Sequence, residues 1–233
     1  MSVRPGRERR RDPALRVGRN VARAGLPLDS PVKTLILVRH AHAESNAGAV
    51  VNSTPPGGGL SEDGRKEARR LAVLVASGPV DAGFSSRFLR SQQTLGLALA
   101  GRTVPRVVEP LLDEIGFGSF DGGPLETYRQ WAWEHEPDAP CPGGGESRAA
   151  AALRFAAALA ALLARPEETL LAVSHALLVR YVLDAADGRF PAARVVQVPH
   201  ATPFELGRDA VGLAAETLRG WAEAPRFANP PSD

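Results

Sequence analysis

Cysteine is almost missing from this chain of 233 residues, with Cys141 the only one. No intramolecular disulfide can form, and a reducing compartment is the simple reading. Long apolar runs are absent too, none approaching the roughly 18 residues of a membrane span. Nor does the N-terminal stretch lead into the apolar core of a secretory signal, so a cytoplasmic protein with no membrane partner is expected. A dominant charge of one sign is also lacking, the formal net charge being +2. Residues 1–30 nevertheless carry eight arginines against Glu8, Asp12 and Asp29, which leaves the remainder mildly acidic. The basic excess sits in a tail rather than on a folded face and gives no argument for nucleic-acid binding. An Arg-rich, acid-poor opening also has the composition of an organellar transit peptide, but a solvated tail accounts for it more simply.

What is present, 44% hydrophobic and 23% charged residues, fits one globular domain with a core that needs no disulfides. The chain divides into a basic, disordered tail over 1–31, a domain over 32–220 and an irregular tail over 221–233. Thr34 to Val38 is a short continuous apolar run of the kind buried on both faces of a parallel sheet, and Arg39-His40 follow at its C-terminal end. Ser61 is a good N-cap for a helix that Ser77-Gly78-Pro79 stops. Val80 to Phe84 and Val104 to Val108 read as further strands around a helix from about Arg87 to Ala100. Between Gly116 and Gly145 the pattern breaks into glycines, prolines and Tyr128, Trp131 and Trp133, which reads as an inserted cap. A long Ala-rich helix spans about Ser147 to Arg165, and Thr169 to Val173 is a buried strand leading into Ser174-His175. Ala176 to Ala186 is helical; Val195 to Val198 and Pro203 to Leu206 are strand-like. Such alternation predicts an α/β fold, a three-layer αβα sandwich with a mostly parallel central sheet, helices on both faces and a small inserted cap.

Two histidines therefore emerge at the carboxyl ends of two strands, where ligands sit in open α/β sheets. A neutral imidazole is a competent nucleophile toward phosphorus near neutral pH, and arginine forks suit the three oxygens of a phosphoryl group in transfer. Taken singly, each residue has an ordinary structural explanation: a histidine after a strand, a surface arginine, a solvated Glu114 or a Ser85-Ser86 helix cap.

Their order and spacing resemble the histidine phosphatase superfamily, also called phosphoglycerate-mutase-like, from about Lys33 to Arg208. Val38-Arg39-His40-Ala41 is similar to the opening Arg-His-Gly signature, with Asn46 six residues beyond the histidine. Leu60 to Ala68 resembles the Leu-[Ser/Thr]-x-x-Gly-x-x-Gln-Ala helix start, and Ser86 to Thr94 the Ser-x-x-x-Arg-Ala-x-x-Thr segment. Leu112-Asp113-Glu114 with Gly116, Gly118 and Gly122 resembles the acidic-residue loop, Gly145-Glu146-Ser147 the start of the long helix, and Val173-Ser174-His175-Ala176 the second histidine motif. The resemblance implies a phosphohydrolase without metal or other cofactor. His40 would attack phosphorus, Arg39, Arg90 and His175 would hold the phosphoryl oxygens, and Glu114 would protonate the leaving group and then activate water. Asn46 and Ala176 would contact a small phosphorylated substrate. His42 stands where the family often has Glu or Gln; it would either face the substrate as a further binding residue or pack in the loop. One ring nitrogen of His40 would donate to a backbone carbonyl, and His175 would be most useful protonated. Oligomeric state stays open, a homodimer included.

Three other readings compete. His40-Ala41-His42 also looks like the His-x-His metal pair of amidohydrolases, but His135, His175 and His200 supply no matching further ligands. A binding module that keeps the fold without turnover is disfavoured by the presence of all five core residues. A phosphomutase shares the first chemical step, but the 61 residues from Glu114 to His175 form a shorter insertion than cofactor-dependent mutases carry. The cap is acidic, with Glu126, Glu134, Glu136 and Asp138 against Arg129 alone, and does not favour bisphosphorylated substrates.

Overall fold

The computed structural model describes residues 31–228; the basic tail and the last five residues lie outside them. Five strands and seven α-helices alternate. They run β1 (Thr34–Arg39), α1 (Glu44–Ala47), α2 (Glu62–Leu74), β2 (Ala82–Ser85), α3 (Leu89–Ala98), β3 (Arg106–Val108), α4 (Leu125–Glu134) and α5 (Arg148–Leu163). Then follow β4 (Thr169–Ser174), α6 (Ala176–Ala186), β5 (Pro203–Gly207) and α7 (Arg208–Glu223). The sheet order is β3-β2-β4-β1-β5. β1, β2, β3 and β4 are mutually parallel, and β5 alone runs antiparallel, against β1.

Every residue of β4 is buried, because its two neighbours and both helical layers enclose it. Alternation along the strands divides the core into two clusters. Leu35 and Leu37 of β1 and Leu170 and Ala172 of β4 face α5, α6 and α7, whereas Ile36, Val38, Leu171 and Val173 face α2 and α3. The edge strands β3 and β5 are only partly buried, as expected for one-sided packing. The helices begin where local chemistry lets them. The Ser61 hydroxyl accepts from the Gly64 N–H (3.1 Å) behind Glu62 and Asp63, and the Ser147 hydroxyl accepts from the Ala150 N–H (3.0 Å).

Two elements differ from the sequence reading. Residues 195–198 form no strand, since the Val198 carbonyl is taken by the Arg39 guanidinium (2.6 Å) rather than by a ladder. Helix α7 had no counterpart in the expectation, and it continues to Glu223, past the boundary placed at residue 220. It packs on α5 and α6, burying Val211, Ala214, Ala215, Leu218 and Trp221. The cap is a loop around α4, tied to the body where Val51 N–H donates to the Gly123 carbonyl (3.0 Å) and Leu125 N–H to that of Ala49 (2.8 Å). Gly118 (φ 56°), Gly143 (φ 75°) and Gly144 (φ 80°) supply the left-handed turns that fold it back. Among the described residues no helix is long and apolar enough to cross a membrane.

Candidate active site

Parallel pairing of β1 with β4 sets Arg39 opposite Ser174, so His40 and His175 leave the same edge of the sheet side by side, ring centroids 5.1 Å apart. The His40 backbone N–H donates to the Ser174 carbonyl (2.9 Å), extending the ladder by one bond. Its Nδ1–H donates to the Ala41 carbonyl (2.8 Å), which fixes the tautomer and leaves the Nε2 lone pair free. Arg90 Nε–H points at that lone pair from 3.2 Å. Burial, with Arg90 and Arg39 adding to it, holds the His40 pKa well below the usual histidine value, so the imidazole is neutral at neutral pH.

Arg90 lies in the first turn of α3 and is 3% exposed. Its Nη1 donates to Asn52 Oδ1 (3.0 Å), and its Nη2 to the Asn52 carbonyl (3.0 Å) and to Nδ1 of His175 (3.2 Å). His175 Nε2–H in turn donates to the Ser86 hydroxyl (2.9 Å). His175 is thus neutral, its pKa pulled well down by burial and then by Arg90; the protonated form expected from the sequence requires an incoming anion. Arg39, lowered to about 10 chiefly by burial, stays charged, and its Nε has no hydrogen-bond partner among the described residues.

Glu114 follows a single 3₁₀ turn at Pro110–Leu112. One carboxyl oxygen accepts from the Ile115 N–H (3.1 Å), and the other stands 3.7 Å from His175 Nδ1. Burial raises its pKa against the opposing pull of Arg90, favouring the protonated acid. Arg154 of α5 fastens this loop by donating to the carbonyls of Leu111 (2.9 Å), Asp113 (2.9 Å) and Glu114 (3.3 Å) while paired with Glu146 (2.7 Å).

Arg39, His40, Arg90 and Glu114 open into one cavity of about 140 Å³, roofed by the cap and walled beyond them by Leu125, Tyr128, Trp133, Leu177 and Val195. Asn46 and Ala176 also line it, but Asn46 Oδ1 is committed to the Ala43 N–H (2.9 Å), leaving only its amide group for a ligand. His42 is not among the residues that line the cavity. Its Nδ1 bonds the Ser61 hydroxyl (2.9 Å), and its ring packs 5.5 Å from that of His200. Trp131 is a packing residue between Phe120 and His135, whereas Trp133 faces the cavity. Cys141 is buried, and burial pushes its thiol up to about 11, so it is unreactive.

Sequence reasoning missed Asn52, Arg154 and His200 as supports of the site, and gave Ser86 no role beyond a helix cap or a motif position. His200 Nδ1–H donates to the His40 carbonyl (2.8 Å). Thr94 was read only as part of a motif; its hydroxyl accepts from the Ala41 N–H (3.0 Å) and donates to the Arg90 carbonyl (2.7 Å), joining the two signature segments. Polar residues on otherwise apolar faces, as Thr94 is on α3, were the available signal.

The model of the histidine phosphatase superfamily (branch 1) matches residues 35–215. The chain belongs to that superfamily. It is 30% identical over 119 residues to the adenosylcobalamin/alpha-ribazole phosphatase of Salmonella typhimurium, a match covering 48% of this chain and 58% of that protein. The chain thus spans little more than half the length of that relative. It is 28% identical to the 2,3-bisphosphoglycerate-dependent phosphoglycerate mutase 2 of Gloeobacter violaceus over 190 residues, 74% of this chain and 85% of that one. In fold it resembles the alpha-ribazole phosphatase of Shigella flexneri, with a TM-score of 0.64 at 23% identity over 74% of this chain and 89% of that one.

Proposed function

We propose that this histidine phosphatase superfamily member is a phosphomonoester hydrolase that works through a phosphohistidine on His40, without a metal ion. The observation that carries the reading is the arrangement of His40: neutral, its tautomer held by Ala41, its Nε2 lone pair beside Arg90, with Arg39 and His175 around it. The phosphoryl oxygens of a bound ester draw the N–H donors of Arg90 and Arg39 away from their resting positions. His40 Nε2 attacks phosphorus in line. The bond to the leaving oxygen breaks as protonated Glu114 delivers its proton there. Glu114, now ionised, takes a proton from water, whose oxygen attacks phosphorus; the P–N bond breaks, its electron pair returns to Nε2 and phosphate leaves. Cationic clamps stabilise the equatorial oxygens throughout, the role a metal plays elsewhere. Two guanidinium groups beside His40 would also repel a divalent cation. The relatives named as phosphatases support release to water, and the mutase relative supports the same first step with a second hydroxyl as acceptor.

The test is rapid-quench labelling with a phosphomonoester. The parent forms an acid-labile, alkali-stable label that decays to free phosphate, and His40→Ala forms none. Equal turnover in His40→Ala would refute the mechanism, chelator-sensitive activity would refute metal independence, and label passing to an added sugar acid in preference to water would favour the mutase.

A further inference from the structure

The cavity extends past the phosphoryl site to a group of buried polar atoms that the proposed chemistry does not use. Arg148, the first residue of α5, is 6% exposed. Its Nη1 donates to the carbonyls of Ala193 (2.8 Å) and Ala192 (3.3 Å), but its Nε is buried with no hydrogen-bond acceptor among the described residues. No carboxylate pairs with it among the described residues. The phenols of Tyr128 and Tyr181 flank the guanidinium within side-chain hydrogen-bonding reach of it, though neither hydroxyl meets it in good geometry, and neither has another partner among the described residues. Burial pushes both phenols up, so they remain neutral O–H donors. Native proteins pair nearly all buried polar groups, and here a guanidinium is met by two carbonyls, two neutral phenols and the Phe227 ring (5.5 Å to its centroid), with no anion beside it among the described residues. Arg148 and Tyr128 both line the cavity that holds His40.

From this we propose that Arg148 with Tyr128, both lining the cavity, forms a second subsite for a compact anion on the leaving group, making the substrate a phosphomonoester with an apolar body and a distal carboxylate. The inference rests on the phosphatase reading. A carboxylate accepts from both a guanidinium and a phenol, and an uncompensated buried cation selects an anion over a neutral acceptor. Phe117, Leu125, Leu177 and Val195 line the same cavity. Ser45, Asn46, Asn52 and Gln197 add polar atoms to the lining, but the Asn46 and Asn52 side-chain oxygens already accept within the protein, so the wall suits an aryl or alkyl body better than a sugar-like one.

The experiment compares kcat/KM for 4-(phosphonooxy)benzoate, its methyl ester and 3-phosphoglycerate, in the parent and in Arg148→Gln and Tyr128→Phe. A charge-assisted hydrogen bond is worth roughly tenfold or more. The parent should therefore prefer the acid to the ester by about tenfold or more, a preference falling toward one in Arg148→Gln and at least about threefold in Tyr128→Phe. Loss of an Arg148 role confined to folding would lower both substrates alike and leave the ratio intact. A parent ratio near one, or a ratio that survives both substitutions, overturns the subsite; faster turnover of 3-phosphoglycerate than of the aryl acid overturns the apolar body. Should Arg148→Gln not fold, Tyr128→Phe, which keeps the ring, decides by its ratio. If no ester turns over at all, the phosphatase reading fails separately. Calorimetric binding of 4-(phosphonooxy)benzoate then decides the subsite, tenfold weaker binding in the variants supporting it and equal binding refuting it.

Discussion

Replacing Glu114 by Gln isolates the proton from the rest of the site. Glutamine has the same length, and its carbonyl oxygen can still accept from the Ile115 N–H, the bond now at 3.1 Å. What is lost is a buried carboxyl whose raised pKa keeps its proton available beside His175. General-acid assistance is worth about 10² to 10⁴-fold, or roughly 3–5 kcal/mol of barrier, when the leaving oxygen is a poor one. An alkyl phosphate should therefore lose about that factor in kcat/KM, while 4-nitrophenyl phosphate, whose leaving group departs unprotonated, should lose less than about tenfold in the phosphorylation step. Stopped-flow burst measurements separate that step from hydrolysis of the phosphohistidine. The same substitution has a stability signature. Because burial raises the folded-state pKa of Glu114 above its unfolded value, its favourable contribution is complete below the unfolded value and is lost as pH rises through the folded one. Glu114→Gln should therefore raise Tm relative to the parent at pH 8, and the gain should vanish near pH 4. Equal losses on the alkyl and nitrophenyl esters would refute the assignment of Glu114 as proton donor.

Further outcomes follow from neighbouring geometry. Arg154→Leu removes three carbonyl contacts and the Glu146 pair, so it should destabilise by about 2–3 kcal/mol in denaturant titrations and slow alkyl esters more than aryl ones by loosening the Glu114 loop. Gly64→Ala should cost at least about 2 kcal/mol, because a Cβ there would overlap the His42 carbonyl, a backbone atom with nowhere to move; a soluble variant with parent-like Tm would contradict this. The buried pair His40 and His175 titrates well below the unfolded value, so the unfolded chain binds more protons as pH falls. Stability should drop below about pH 6.5 by up to about 1.4 kcal/mol per unit for each, and urea midpoints from pH 7 to 5 would measure it. In the free enzyme the acidic limb of kcat/KM belongs to His40, which must be neutral, and the basic limb to Glu114, which must be protonated; Glu114→Gln should abolish the basic limb.

Local pattern carried much of this. Buried apolar runs announced β1 and β4, the Ser61 cap announced α2, the Ala-rich run announced α5, and the Arg39-His40 and His175 segments stood at strand ends where a ligand site belongs. These signals are readable because strand burial, helix capping and strand-end placement each depend on residues only a few positions apart. Helix α7 was legible in principle from Val211, Ala214, Ala215, Leu218 and Trp221, but Gly212 and Gly220 interrupt the pattern.

Only tertiary structure decided which polar residues meet. Arg90 reaches across 85 positions to His175, Arg154 across 40 to the Glu114 carbonyl, and His200 across 160 to that of His40. Arginine and histidine are common enough on surfaces that no local window separates these from solvated ones. Likewise His42, two positions from His40, bonds the Ser61 hydroxyl and is not among the residues lining the cavity, the chain having left β1 at Arg39. The sequence by itself determined the layers, the family and the motifs that stand at the sheet edge. Folding alone decided the directions in which the pKa values of His40, His175 and Glu114 move and the placement of Arg148 in the same cavity, since burial and through-space charge are properties of the packed molecule and not of any segment of it.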